Sequence, residues 1–282
     1  MKKNVIITTD SVCDMPKELL ERYQVRMIPL TISEGDHSYK DGVDFTPDDI
    51  YELYDSQHLL PKTSAISPQE FVDFFTPLTQ DGSEVVHIDI SSACSATYQN
   101  ACMAASELEG VYPVDSLHLT LGQGLLVIEA CRLRDAGLSA REIAEQLPAY
   151  REKIVTSFVV DTLEYLWKGG RCSGLTAFGA NLLQVRPCLE LREGEIKVAR
   201  KYRGTMQKVY TQYIRDYLSR ENIDTRMGFL VHSGRISQET LDQLRQLILE
   251  LVPFSEVPIV RAGCTVTSHC GPGTIGVIFA SK

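Results

Sequence analysis

Short apolar runs alternate with segments of helical period along the first half of the chain. The runs that predict strands are Val5–Thr9, Glu84–Ile90 and Val111–Val114. Strands separated by amphipathic helices are typical of βα units, in which the strands form a parallel sheet. The first half therefore predicts an α/β domain with a parallel sheet.

Helix starts in this half are marked by capping residues. Ser67 is followed three residues later by Glu70, and Ser139 by Glu142. This spacing fits the capping box, in which a hydroxyl and a carboxylate each bind the other residue's backbone amide. Helices are predicted to begin after Ser67, after Ser139 and, where a proline follows, after Thr46.

The pattern changes near residue 155, where strands become longer and more frequent. The predicted strands are Thr156–Val160, Cys188–Arg200, Met227–Val231, Val257–Arg261 and Thr274–Ala280. Glu193 and Gly194 interrupt the second of these as a hairpin turn would. Helices are predicted over Thr205–Leu218 and from Ser237 onward, where leucines recur on one face.

The length of 282 residues also favours two domains, because a domain usually contains roughly 100 to 200 residues. We place them at residues 1–155 and 156–282. The first is expected to be an α/β domain with a parallel sheet, and the second an α/β domain with a mixed sheet.

Charge and composition exclude several classes of partner and cofactor. The net charge of −9 disfavours nucleic acid and anionic membranes. Because the chain shows neither a signal peptide nor an apolar stretch of membrane-spanning length, we expect a cytoplasmic protein with eight reduced cysteines. The cluster of Cys264, His269 and Cys270 lacks the second ligand pair of a closed zinc site, so no metal is expected.

Three predicted strands end in hydroxyl and acidic residues, at Thr8–Ser11, Asp89–Ser92 and Asp115–Ser116. Ligands of open α/β sheets bind outside the carboxyl ends of the strands, so these groups should converge on one crevice. The alternative is that they cap the helices that follow.

Two hydroxyl-rich loops, Lys62–Ser67 and Ser91–Thr97, contain no carboxylate or lysine placed to activate a nucleophile. Many neutral donors without an adjacent base are better suited to holding an anion than to attacking a carbonyl. The hydrolase elbow and the P-loop are absent, and Gly271–Gly276 matches a dinucleotide fingerprint only formally, because it precedes a strand. No cofactor is expected.

The segment Lys168–Lys208 carries a net charge of +6 within this acidic chain. A solvated face is the usual explanation of such a segment. However, Arg171 and Arg203 lie beside glycines at predicted turns, where a guanidinium can reach a phosphate. A phosphate group or an acidic partner is therefore a candidate ligand.

Eight motifs, which extend from the first strand to the last, together resemble the DegV family in order and spacing. They are Thr9-Asp10-Ser11, Tyr39-Lys40-Asp41-Gly42, Thr63-Ser64 with Ser67-Pro68, Ile90-Ser91-Ser92 with Ser95 and Thr97-Tyr98-Gln99, Asp115-Ser116, Leu163-Glu164-Tyr165-Leu166 with Gly169-Gly170-Arg171, Arg203-Gly204, and His269 with Gly271-Pro272-Gly273.

The resemblance implies a protein that holds one long-chain fatty acid in an apolar tunnel between two domains. A partner fatty acid kinase would phosphorylate the carboxyl group to an acyl phosphate, and the carrier itself would not be catalytic. By motif, Thr63, Ser95 and His269 would contact the carboxyl group, with Ser92 nearby. Arg171 and Arg203 match positions linked to the phosphate or to docking of the kinase.

The chain departs from the family pattern at four positions next to the expected head-group residues. Ala65 and Ile66 stand where glutamine and proline are common, and Ala96, preceded by Cys94, stands where glycine is usual. If that glycine is left-handed, alanine costs about 1 kcal/mol or shifts the loop.

The sequence leaves two alternatives open. One is an acyl-ester hydrolase in which His269 acts as general base toward Ser95 or another hydroxyl. The Thr63, Ser95 and His269 motifs contain no carboxylate to orient the histidine, although Asp10 could supply one in space. The other is a module that retains the fold without binding lipid.

Overall fold

The computed structural model describes residues 3–170 and 185–282, and it confirms the α/β class with a parallel and a mixed sheet. The strands are β1 Val5–Asp10, β2 Arg26–Ile28, β3 Thr31–Glu34, β4 His37–Lys40, β5 Lys62–Ser64, β6 Glu84–Asp89, β7 Val111–Asp115, β8 Ile154–Val159, β9 Val185–Arg192, β10 Glu195–Arg203, β11 Ile223–His232, β12 Ile259–Arg261 and β13 Ile275–Ser281. The helices are α1 Lys17–Tyr23, α2 Pro47–Gln57, α3 Pro68–Thr79, α4 Thr97–Ala105, α5 Thr120–Asp135, α6 Ala140–Arg151, α7 Glu164–Gly169, α8 Met206–Leu218, α9 Gln238–Leu251 and α10 Cys264–Cys270.

The first half forms a four-stranded sheet in the order β2-β1-β6-β7, and every pair in it is parallel. Three of these strands confirm the predicted ones. The capping boxes at Ser67 and Ser139 are also confirmed, and α2 begins after Thr46 with a capping box of its own. The carboxyl ends of the strands therefore meet at one edge, as predicted.

The second half forms a six-stranded sheet in the order β10-β9-β8-β13-β11-β12, in which only β11 and β12 run parallel. The predicted hairpin joins β9 and β10, and both Glu193 and Gly194 have positive φ. The proposed domain limit at residue 155 falls inside β8, whose two neighbours in this sheet belong to the second half. The limit itself stays a prediction.

A small antiparallel sheet, in the order β4-β3-β5, lies outside the predicted elements. Its strands are three or four residues long, and Ile32 is their one fully buried side chain. Strands this short and this exposed give no alternating apolar pattern, which is why the sequence does not reveal them. Strand β5 carries Thr63, so this sheet supports one of the predicted site residues.

Helix α5 lies between the two large sheets and was not predicted either. It packs against β1 and β6 on one side and against β8 and β13 on the other. One apolar cluster accordingly joins Ile7 and Val86 of the parallel sheet, through α5, to Phe229 and Ile278 of the mixed sheet. A helix buried all round carries no polar stripe, so its sequence lacks the amphipathic period.

Candidate functional site

Thr63 and His269, which are 206 residues apart in sequence, meet in the structure. Thr63 lies in the middle of β5, and His269 lies in the last turn of α10. The Thr63 hydroxyl oxygen is 3.1 Å from Nε2 of His269, which is hydrogen-bonding distance. The structure thus brings together two of the three expected head-group residues.

Gly169, the last residue of α7, approaches the opposite edge of the same imidazole. A Cβ atom at this position would lie 2.1 Å from Nδ1 of His269, a distance that no side chain tolerates. The imidazole therefore fits between Thr63 and the backbone of Gly169. This close approach explains why glycine occupies the position.

Ser95 lies in the loop before α4 and lines the same cavity as Thr63 and His269. Its hydroxyl is 2.8 Å from the hydroxyl of Thr97 and accepts a hydrogen bond from the Thr97 backbone N–H at 3.2 Å. These bonds hold the Ser95 oxygen at the cavity wall. All three expected head-group residues therefore surround one space.

That space is a mostly apolar inner cavity between the two halves, and it encloses about 570 Å³, part of it open to solvent. Its wall is made of Val12, Leu30, Thr63, Ser64, Ala65, Ile90, Cys94, Ser95, Leu119, Leu166, Ile196, Thr265, Val266, His269 and Cys270. An apolar wall with a few polar groups is typical of a site for a small ligand.

A second cavity, of about 340 Å³ including open solvent, lies between the start of α5 and the mixed sheet. Leu119, Val266 and Cys270 line both cavities, so the two are neighbours that share a wall. Its lining combines apolar residues, among them Phe158, Val231 and Ile278, with buried hydroxyl groups such as those of Thr156 and Ser157. The two cavities therefore lie side by side, and the polar head-group residues belong to the first of them.

An outer basin lies on the solvent side of the same polar residues, and it encloses about 890 Å³ including open solvent. It is lined by His58, Leu59, Leu60, Pro61, Lys62, Thr63, Lys168, Gly169, Ser268 and His269. Lys168 is paired there with Glu164 at 2.9 Å. Thr63 and His269 line both the basin and the inner cavity, so they lie between these two spaces.

The strand-end acids do converge, but Asp10 and Asp115 accept hydrogen bonds from backbone amides, and Asp89 contacts the His87 imidazole. Asp10 accepts hydrogen bonds from the N–H groups of Val12 and Ile90, at 2.8 and 2.7 Å. Burial, together with nearby Asp89, raises the pKa of Asp10 to about 7. The capping interpretation therefore describes Asp10, and its two oxygens are engaged away from the Ser95 and His269 that a hydrolase would need.

Two of the remaining predicted residues are not among the described residues that line the cavities or the basin. The backbone N–H of Ser92 donates to Asp115 at 3.1 Å, and Ser92 is not among the described residues that line either cavity or the basin. Arg203 is exposed at the end of β10 and is likewise outside those described linings. Arg171 lies outside the described residues. The roles of these three side chains stay predictions.

The loop departures cause less disturbance than expected. Ala96 precedes α4 with φ −76° and ψ 0°, so no left-handed residue is required there and the expected cost of alanine does not arise. Ile66 is buried, and its carbonyl accepts a hydrogen bond from the Asn100 side chain at 2.7 Å. Both loops are thereby fixed against α4.

Within residues 3–170 and 185–282, no three His, Cys, Asp or Glu side chains are grouped as a metal site would require. The cysteines described there are free thiols. No helix in the described part of the chain is both long enough and apolar enough to cross a membrane.

A family model described as "Uncharacterised protein, DegV family" matches residues 4–282. A DegV domain-containing protein of Caldanaerobacter subterraneus subsp. tengcongensis is 34% identical, and the alignment covers 99% of this chain and 100% of the relative. A second such protein, of Clostridium acetobutylicum, is 32% identical over 99% of both chains.

Solved structures with the same fold include proteins described as binding fatty acids. A fatty-acid-binding DegV family protein of Thermus thermophilus has a TM-score of 0.89 and 31% identity, with 99% of this chain and 100% of that chain covered. A stearic acid-binding protein of Eubacterium ventriosum has a TM-score of 0.87 and 27% identity, with coverages of 100% and 99%.

Proposed function

Since the chain belongs to the DegV family, we propose that it binds one long-chain fatty acid and presents the carboxyl group to a partner fatty acid kinase. Solved relatives of the same fold are described as fatty-acid-binding proteins. In this proposal the chain is a carrier, located in the cytoplasm, and the kinase supplies the nucleotide and the catalytic groups.

The observation that carries the proposal is the position of the Thr63–His269 pair between the inner cavity and the outer basin. A carboxyl group bound at this pair would place its tail in the apolar interior. Its second oxygen would face the basin, where another protein could approach. Binding and presentation would then follow from the same two side chains.

The chemistry of the head-group residues fits presentation rather than catalysis. Neutral hydroxyls of Thr63 and Ser95 and the imidazole of His269 can hydrogen-bond a carboxylate without the strong ion pair that an arginine makes. One carboxylate oxygen stays free to attack the γ-phosphorus of ATP held by the kinase. That step forms the acyl–phosphate bond and releases ADP.

The tail would extend through the inner cavity, pass Leu119, Val266 and Cys270, and end in the second cavity. Each methylene removed from water contributes about 0.8 kcal/mol, so the tail should dominate the affinity. The head group would then decide orientation more than total binding energy. In this proposal, the two cavities would form the tunnel that the resemblance implies.

The kinase would approach over the basin and the neighbouring basic segment. Lys62 and Lys168 lie in the basin, and a phosphate transferred to the carboxyl group would enter their vicinity. Arg171 and Arg203 remain the proposed contacts for the phosphate or for docking. Their charges complement an acidic or phosphate-bearing partner surface.

The direct test is to denature the purified protein, extract it with organic solvent and identify the extract by mass spectrometry. We expect about one long-chain fatty acid per chain. An extract that stays empty after incubation with stearate would contradict the proposal. So would hydrolysis of an acyl ester that is lost in Ser95→Ala, because it would identify an enzyme.

Gly169→Ala should weaken fatty acid binding about tenfold, because the added methyl group displaces the imidazole of His269. Stearate affinity measured by displacement of a fluorescent fatty acid checks this. The matched control is Gly170→Ala: this glycine has φ +67° and nothing within 4 Å of an added Cβ. It should lose about 1 kcal/mol of stability yet keep its stearate affinity. If Gly169→Ala and Gly170→Ala bind stearate with equal affinity, His269 does not contribute to the binding site.

A further inference from the structure

Helix α10 is a short helix that carries much of the proposed binding site. It is seven residues long, and it supplies His269 together with Val266 and Cys270 of the cavity wall. A helix of this length has little stability of its own, so its position depends on tertiary contacts. Whatever fixes its first turn also fixes where His269 meets Thr63.

The first turn of α10 donates its hydrogen bonds to two carboxylates from the first half of the chain. The N–H of Gly263 donates to Asp14 Oδ1 at 2.8 Å. The N–H groups of Cys264 and Thr265 donate to the two oxygens of Asp41, at 2.8 and 3.2 Å. The Thr265 hydroxyl adds a bond of 2.7 Å to Asp41 Oδ2. Asp41 alone therefore receives three hydrogen bonds from α10.

Asp41 is itself held rigidly in the first half. It is 2% exposed, its backbone N–H donates to the Leu30 carbonyl at 3.0 Å, and its carboxylate accepts a bond of 3.1 Å from the Ser11 hydroxyl. The donors named for its carboxylate are neutral, and amides at the start of a helix stabilise a negative charge. Asp41 thus connects α10 to the interior of the other half, both by hydrogen bonds and by the attraction between its negative charge and the amides at the start of the helix.

The small sheet β4-β3-β5 contacts both ends of α10. Asp41 directly follows β4, and Thr63 lies in β5, where it pairs with Ile32 of the shared central strand. Seven helical residues span about 10 Å. The sheet therefore holds the first turn of the helix through Asp41 and meets its last turn through Thr63 and His269.

We propose that Asp41 is a positioning residue for the head-group site: it fixes α10 so that the His269 imidazole meets Thr63 at the ligand's carboxyl group. The inference rests on the proposed function, since it assigns the reason for the geometry of that same pair. Asp41 acts through α10 and does not itself contact the ligand.

The test is a double-mutant cycle on stearate affinity with Asp41→Asn, His269→Ala and the double variant. Asparagine keeps the shape of the side chain, but its NH₂ group replaces an oxygen that accepts hydrogen bonds from α10. A donor would then face a donor, and that contact would be lost. We expect Asp41→Asn to weaken binding about tenfold on its own and to have no further effect in the His269→Ala background. If the losses of stearate affinity in Asp41→Asn and His269→Ala are fully additive in the double variant, the inference is overturned. A general loss of stability in Asp41→Asn would lower the affinity whether or not His269 is present.

Two further variants separate positioning from loss of folding. Ser11→Ala removes the hydroxyl that donates to Asp41 and also accepts from the Leu30 backbone N–H at 3.0 Å. Because Asp41 keeps its three bonds to α10, this variant should weaken binding by a smaller factor, and the part that acts through Asp41 should disappear when His269 is absent. Asp36→Asn removes the same charge from the exposed β3–β4 turn of the same sheet, and it should leave the affinity unchanged. A drop in Asp36→Asn equal to that in Asp41→Asn would contradict the assignment.

The NMR signals of the His269 imidazole test the inference independently of ligand binding. In the ligand-free protein, Asp41→Asn should shift these signals, whereas Asp36→Asn should not. If the wild-type chain binds no fatty acid, the proposed function fails while this measurement still reports on Asp41. If fatty acid binds but the imidazole signals are identical in Asp41→Asn and wild type, only the positioning role fails.

Discussion

Val266→Phe is expected to shorten the fatty acid that the protein retains. Val266 lines both cavities, so a phenyl ring there would obstruct a tail that extends from the first cavity into the second, as proposed. If the obstruction excludes about six methylenes, stearate should lose about 5 kcal/mol of binding free energy, a factor of more than 1,000. Decanoate should keep its affinity if its shorter tail ends within the first cavity, as this proposal expects. Displacement titrations with both acids measure this difference.

Overpacking also destabilises proteins, typically by 1–3 kcal/mol, so the result needs a control with a similar defect. Ile143→Phe provides one, because Ile143 is fully buried in α6 and lines neither cavity. This variant should lose stability without changing the ratio of stearate to decanoate affinity. Unchanged stearate affinity in a folded Val266→Phe protein would show that the tail does not pass α10.

The elements that the sequence predicts are those whose signals are local. Strands β1, β6 and β7 are apolar runs, and the starts of α3 and α6 are marked by Ser67 with Glu70 and by Ser139 with Glu142. Capping hydrogen bonds join residues three positions apart, so sequence spacing determines them. The hairpin at Glu193 and Gly194 is local in the same way.

The elements that the sequence does not predict depend on distant contacts. Helix α5 is buried between two sheets, so 11 of its 16 residues are buried and no amphipathic period remains. The strands of the small sheet are too short to show a period of two. Both elements nevertheless support the site, because α5 begins beside the second cavity and β5 carries Thr63.

The pairing of Thr63 with His269 shows the same limit. Each residue belongs to a short motif that suggests anion binding, but 206 residues separate them and no local rule joins them. The family resemblance supplied that connection. The structure adds what the motifs lacked: Gly169 confines the imidazole, and Asp41 anchors the helix that carries it.

The double variant Thr63→Ala with His269→Ala is expected to lose most of the fatty acid that co-purifies with the protein. Two hydrogen bonds to a charged carboxylate contribute about 3–6 kcal/mol together, which corresponds to a factor of roughly 150 to 20,000 in affinity. Both side chains are only partly buried, so the free energy of unfolding should change little. Quantitative mass spectrometry of the extract and stearate titration measure the loss.

Comparison with a neutral ligand shows whether this loss comes from the head group. 1-Octadecanol offers the same tail without the charge, so its affinity should fall far less than that of stearate in the double variant. The control is Thr31→Ala with His37→Ala, which also replaces one threonine and one histidine by alanine. Both residues lie in the small sheet β4-β3-β5 and line neither cavity, so the affinities for stearate and octadecanol should stay unchanged. If stearate and octadecanol lose affinity equally, the two residues shape the cavity instead of binding the carboxyl group. If neither ligand loses affinity, the carboxyl group lies elsewhere, and the proposed route for presentation through the outer basin is wrong.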